Sequence, residues 1–131
     1  REKVFWKGHP VPTLSPDQIG RLGEDLAVGF LTCCGYRCLA RRVRAGRGEI
    51  DLVMARPGRW IFVEVKARGP GSWGPSAAAV TRGKLWRLRS AVRAWLAAHP
   101  PPAGTELRCD VVAVDVAGEG QGLVLNHYRN V

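Results

Sequence analysis

The stretch GEIDLVMARPGRWIFVEVKAR, Gly48 to Arg68, limits the folds open to this chain more than any other. Two runs of alternating strand-forming residues, Ile50 to Ala55 and Trp60 to Lys66, flank Pro57-Gly58, a pattern that predicts a β-hairpin. A symmetric turn centred there sets Asp51 opposite Glu64 and, because side chains alternate along a strand, sorts the residues onto two faces. One face carries the pairs Ile50–Val65, Leu52–Val63 and Met54–Ile61 and is wholly apolar. The other carries Ala55–Trp60 and Val53–Phe62 near the turn, then Asp51–Glu64 and Glu49–Lys66 at the open end.

Like charges opposed on a hairpin, with Cβ atoms about 5 Å apart, destabilise it, so the Asp51–Glu64 pair needs a reason. Lys66, diagonal to Asp51 and beside Glu64, can neutralise the two as a surface ion-pair network. Alternatively the two carboxylates bind a hard divalent cation such as Mg²⁺, which takes oxygen ligands and bridges to substrate phosphates. Charge alone leaves both readings open.

The remaining composition narrows the partners. With 20 Lys and Arg against 11 Asp and Glu, the formal charge is +9 and the pI about 10.3, a balance that favours nucleic acid through phosphate contacts. Anionic lipid is the weaker reading, because no basic amphipathic helix stands apart from the core. No run of about 18 apolar residues spans a membrane. The N-terminal REKVFWKGHPVPT lacks the apolar segment of a secretory signal, so a cytoplasmic protein is expected. Cys33, Cys34, Cys38 and Cys109 form no CxxC pair and have no His at ligand spacing. They read as small buried apolar residues rather than as zinc ligands or disulfides.

A length of 131 residues suits one domain, expected over residues 15–131 behind an arm of residues 1–14. The sequence leaves open whether that arm is disordered or anchored by Phe5 and Trp6. Ser15-Pro16-Asp17-Gln18 gives an N-cap, a proline at the first helical position and a capping-box glutamine. Ile19, Leu22, Leu26 and Phe30 follow at helical spacing, so a helix is predicted from about Pro16 to Cys34, with Glu24 on the flank of its buried stripe. Tyr36 to Val43 reads as a strand, and Arg41, Arg42, Arg44 and Arg47 lead from it to the hairpin as candidate phosphate contacts. After Lys66 and Arg68, the run from Gly69 to Pro75 predicts a mobile loop over the site, in which Trp73 either stacks on a base or tethers the loop. A second helix from about Arg82 to His99, capped by Thr81, points Leu85, Leu88, Val92, Trp95 and Leu96 inward and Lys84 towards the sheet. Its Arg82, Arg87, Arg89 and Arg93 read as a generic basic surface. Leu107 to Val116 and Leu123 to Tyr128 complete the strands, and Arg108 and Asp110 read as a structural ion pair. The order αβββαββ implies an α/β layer with a mixed five-stranded sheet.

Asp51, a gap, then Glu64-x-Lys66 on the following strand resembles the PD-(D/E)XK signature of the restriction-endonuclease-like fold. Gly23-Glu24, Gly35-Tyr36, GEIDL, FVEVKAR, VTRGK from Val80 to Lys84 and RCDVV from Arg108 to Val112 together are similar to the YraN family of small bacterial endonuclease-like proteins. The likeness runs from about Ile19 to the C-terminal residues. It implies a Mg²⁺- or Mn²⁺-dependent nuclease acting on DNA rather than RNA, with Asp51, Glu64 and the Val65 carbonyl as metal ligands and Glu24 acting through water. It further implies Lys66 as the catalytic lysine and Lys84 as an extra lysine near the scissile phosphate. Arg68, at the end of FVEVKAR, falls with the substrate-binding residues. Resolvase-like members of this fold act as dimers, so the likeness admits a homodimer. Two rivals stand beside the enzyme: a nucleic-acid-binding module that keeps the fold without the chemistry, and an interaction protein whose basic surface meets an acidic partner.

Overall fold

In the computed structural model, which describes residues 2–6, 14–69, 82–116 and 122–131, two helices cover opposite faces of one mixed sheet. The elements are β1 (Glu2–Trp6), α1 (Pro16–Cys33), β2 (Arg37–Ala45), β3 (Gly48–Arg56), β4 (Arg59–Arg68), α2 (Arg82–Ala98), β5 (Glu106–Val116) and β6 (Leu123–Tyr128). The expected αβββαββ order and five mixed strands are present. A sixth strand is added at the edge, where residues 2–6 of the anticipated arm pair antiparallel with β6. The sheet order is β1-β6-β5-β4-β3-β2, and β4 with β5 is its parallel pair, the two joined across the sheet by α2.

The β3–β4 hairpin has the predicted register: Leu52 faces Val63, Val53 faces Phe62, Met54 faces Ile61 and Ala55 faces Trp60. Leu52, Met54, Ile61 and Val63 pack with Val112, Val114 and Leu125 under Ala27 and Leu31 of α1. Val53 and Phe62 pack under Leu88, Ala91, Val92 and Trp95 of α2. Each fully buried side chain of Leu or Phe size contributes about 1.5–3 kcal/mol, so the two clusters together hold the helices to the sheet.

Three expectations need correction. Ile50 does not share a face with Leu52 and Met54; it joins the α2 cluster. The strand changes face at Asp51, where the regular β3–β4 ladder stops at Leu52–Val63. The buried stripe of α1 runs through Ile19, Gly23, Ala27 and Leu31, one step round from the predicted line, while Leu22, Leu26 and Phe30 are only partly covered. Small residues face the sheet because the helix lies very close to β4: a Cβ on Gly23 would stand 2.5 Å from the Ala67 Cβ. The cysteines are free, but Cys33 and Cys38 are exposed, one at the end of α1 and the other on edge strand β2. Thr81, Trp73 and the Gly69–Pro75 loop beyond Gly69 lie outside the described residues.

Candidate active site

Asp51 and Glu64 meet at the open end of the hairpin, where the ladder has stopped. The Val65 N–H donates to Asp51 Oδ2 at 2.7 Å, so a side chain takes the place that a strand carbonyl would fill. On the other edge of β3 the neighbouring residue is Arg42, which lies between the pairs Arg41–Leu52 and Val43–Ile50. Arg42 has φ +51°, a left-handed conformation that costs a non-glycine residue about 1–2 kcal/mol. An irregularity of this kind re-aims a side chain, and here the kink coincides with the point at which β3 changes face.

Burial dominates the electrostatics of the pair. It pushes the Asp51 carboxyl up to about 6, with the charges of Glu24 and Glu49 acting in the same direction and the Val65 N–H opposing them. Burial and then the Asp51 charge push Glu64 up to about 7, while Lys84 and Lys66 pull it back. The two carboxyls are close enough for each to perturb the other, and both are held above the ordinary carboxylate range. The Lys66 ammonium is lowered, chiefly by the Lys84 side chain crowded against it, and then by burial.

Asp51 and Glu64 line a cleft of about 530 Å³ whose other charged residues are basic except for Glu49. Arg44, Gly46, Arg47 and Gly48 come from the end of β2 and the turn into β3, and Lys84 and Arg87 come from the first turns of α2. The turn and the helix are in intimate contact, since a Cβ on Gly48 would stand 2.2 Å from the Arg87 carbonyl oxygen. Glu49, also in the lining, faces Arg44 across the β2–β3 ladder.

Of the residues anticipated from sequence, the fold gathers Asp51, Glu64, Lys66, Arg44, Arg47 and Lys84 at this end of the sheet. Arg68 acts electrostatically on Lys66 from the end of the same strand. Arg41 and Arg42 turn instead to α1: Arg42 Nε donates to Glu24 at 3.0 Å, and Arg41 donates to Asp25 at 2.8 Å with Glu24 at 3.6 Å. Glu24, with a side chain 15% exposed, is therefore held by arginines and reaches Asp51 through its field. Among the described residues no three carboxylate, His or Cys side chains converge as a ready metal cluster, so the donors at the cleft floor are the two carboxylates. Arg87 was not distinguished by sequence from the other arginines of α2. Its spacing of three residues from Lys84 was the available signal, because residues three apart share a helix flank.

The model of the uncharacterised protein family UPF0102 matches residues 23–114. A UPF0102 protein of Roseiflexus castenholzii is 40% identical over 110 residues, covering 84% of this chain and 89% of the relative. One from Halorhodospira halophila is 46% identical over 100 residues, covering 76% and 79%. A third, from Symbiobacterium thermophilum, is 43% identical over 107 residues, covering 79% and 87%.

Proposed function

The chain belongs to the UPF0102 family, and from the Asp51–Glu64 pair and the basic cleft around it we propose a metal-dependent nuclease that hydrolyses phosphodiester bonds in DNA. The observation that carries the reading is the juxtaposition of two half-buried carboxyls, both raised in pKa, on the floor of a cleft walled by Arg44, Arg47, Lys84 and Arg87. A structural ion-pair network would leave these carboxyls ionised and exposed beside cations. A pair crowded enough for each to perturb the other instead offers hard oxygen donors to Mg²⁺ or Mn²⁺.

Asp51 and Glu64, with the Val65 carbonyl as a further oxygen, are the residues to hold such an ion, which when bound polarises a phosphate and acidifies water. The arginines and Lys84 bind the phosphates on either side of the scissile one, fixing the strand over the cleft floor. Lys66 stands where it can orient attacking water or stabilise charge developing on the phosphate oxygens. Its neighbour Lys84 weakens its hold on its proton, which suits a group that exchanges one during the reaction. Glu24 fastens Arg42 and deepens the negative potential at Asp51. Water adds across a P–O bond, leaving a phosphate monoester on one fragment and a hydroxyl on the other.

A panel of linear and branched DNAs incubated with Mg²⁺, Mn²⁺ or chelator provides the test. Cleavage is expected only with metal, and Asp51→Asn and Lys66→Ala are expected to abolish it while leaving affinity for DNA nearly intact. Metal-independent cleavage, or full activity in either variant, overturns the mechanism. Tight, salt-sensitive binding without turnover would make the protein a binding module that keeps the fold.

A further inference from the structure

A second cavity, of about 290 Å³, lies at the other end of the hairpin, on the α1 face. Arg56 at the end of β3 is five residues from Asp51, about 17 Å along an extended strand, so the two sites are separate. Four arginines from different segments line the cavity: Arg56, Arg59 at the start of β4, Arg108 near the start of β5, and Arg129 after β6. Their placement is braced. The Arg56 guanidinium lies over the Tyr36 ring at 5.3 Å and donates to the Cys34 carbonyl, while Arg59 donates to Glu106 at 3.0 Å.

His127 belongs to the same lining, is 3% exposed, and faces Phe30 edge-on. Its Nε2 is 2.7 Å from Asp110, whose carboxylate also accepts from Arg108 at 2.8 and 2.9 Å and from the Asn130 N–H at 3.0 Å. With every neighbour of Asp110 a donor, the Nε2 carries a proton. The Nδ1 is buried and has no hydrogen-bond partner among the described residues.

We propose that this cavity binds a phosphate monoester, with Arg56, Arg59, Arg108 and Arg129 around its oxygens and the His127 ring in its wall. The charge inventory favours an anion. Among the described residues, four arginines face Glu2 in the lining, Glu106 beside Arg59 and Asp110 behind Arg108, an excess of one positive charge before His127 is counted. Each guanidinium has five N–H groups and spends one or two on the partners named, so donors outnumber acceptors. They also approach from four segments, which suits a tetrahedral group with three terminal oxygens better than a planar carboxylate. Glu2, ion-paired with Arg129, already sets one carboxylate among these arginines. The phosphate can come from a free nucleotide or from the 5′ end of a nucleic acid.

The intact chain in chelator, titrated with inorganic phosphate, adenosine 5′-monophosphate and adenosine, tests the site apart from any metal chemistry in the cleft. The two phosphates should raise the Tm and shift the His127 Nδ1 resonance in ¹⁵N spectra; adenosine should do neither. Arg56→Gln with Arg129→Gln, both exposed positions, should weaken adenosine monophosphate binding at least about tenfold. Asp51→Asn should leave it unchanged. A 5′-phosphorylated oligonucleotide binding more tightly than its 5′-hydroxyl counterpart and than the mononucleotide identifies a strand end as the source, and the reverse order identifies the free nucleotide. No binding at millimolar phosphate, an unmoved Nδ1 resonance, or full binding in the arginine double variant overturns the proposal. None of these results depends on whether the protein cleaves DNA.

Discussion

Asp51 and Glu64 make stability depend on pH in an unusual direction. Their carboxyls titrate near 6 and 7 when folded, against 3.8 and 4.5 for the free side chains, so between about pH 4 and pH 7 the folded protein binds more protons than the unfolded chain. Without divalent metal, stability should therefore fall as pH rises through this range and level off above it. Screening by the open cleft reduces the combined effect to roughly 3 kcal/mol, about half of a direct conversion of the two shifts. Asp51→Asn should flatten the profile. Saturating Mg²⁺ should turn it round, because ligation favours the ionised carboxyls. Urea titrations from pH 4.5 to 7.5 in chelator and in Mg²⁺ measure this, and a profile that rises with pH in chelator would contradict the crowding of the pair. At the same scale, Asp110 shows the opposite balance. Burial alone would raise it, but hydrogen bonds from His127, Arg108 and the Asn130 N–H hold its carboxyl below the usual range.

At the scale of elements, two close approaches set the geometry of the cleft: α1 against β4 at Gly23, and α2 against the β2–β3 turn at Gly48. Gly48→Ala drives a Cβ into the Arg87 carbonyl, backbone that cannot swing aside, and should destabilise by about 2 kcal/mol or more, lowering the Tm by roughly 6–10 °C. Gly20→Ala, in α1 with open space around the new Cβ, should instead stabilise by about 0.5–1 kcal/mol. Thermal melts of the two variants make the comparison, and equal effects would mean that α2 does not rest on the turn. The same close approaches explain what was legible in the sequence. Strand alternation and the Pro-Gly turn gave the hairpin register, and the Ser15–Gln18 capping box gave the start of α1, because both are short-range signals. The phase of α1 was read from its large apolar residues, yet the sheet selected Gly23 and Ala27, since what counts there is the distance between backbones. Ile50 escaped for a related reason: alternation assumes an unbroken ladder, and the ladder breaks at Asp51. The pairing of Arg41 and Arg42 with Asp25 and Glu24 joins elements 16 and 18 residues apart, beyond any local pattern.

For the whole molecule, a charge of +9 makes binding to a polyanion strongly dependent on salt, and the fold says which cations should matter most. Arg47→Glu and Arg87→Glu, both in the cleft wall, should weaken duplex DNA binding and reduce the slope of log K against log salt by about 0.9 for each phosphate that is no longer neutralised. Arg41→Glu and Arg42→Glu should change the slope less, since those arginines are already engaged by α1, although replacing them should loosen that helix. Binding measured from low to high salt distinguishes the sets, and a larger effect from Arg41 and Arg42 would move the DNA path to the α1 side. The outermost strand carries a different consequence. Among the described strands β1 pairs with β6 alone, although every other strand of the sheet lies between them in sequence. During synthesis residues 2–6 leave the ribosome ahead of the other strands and have no ladder to join until residues 123–128 follow. Of the described strands the first made is thus among the last to be placed, and until it docks the growing sheet presents β6 as an open edge to any other extended chain nearby.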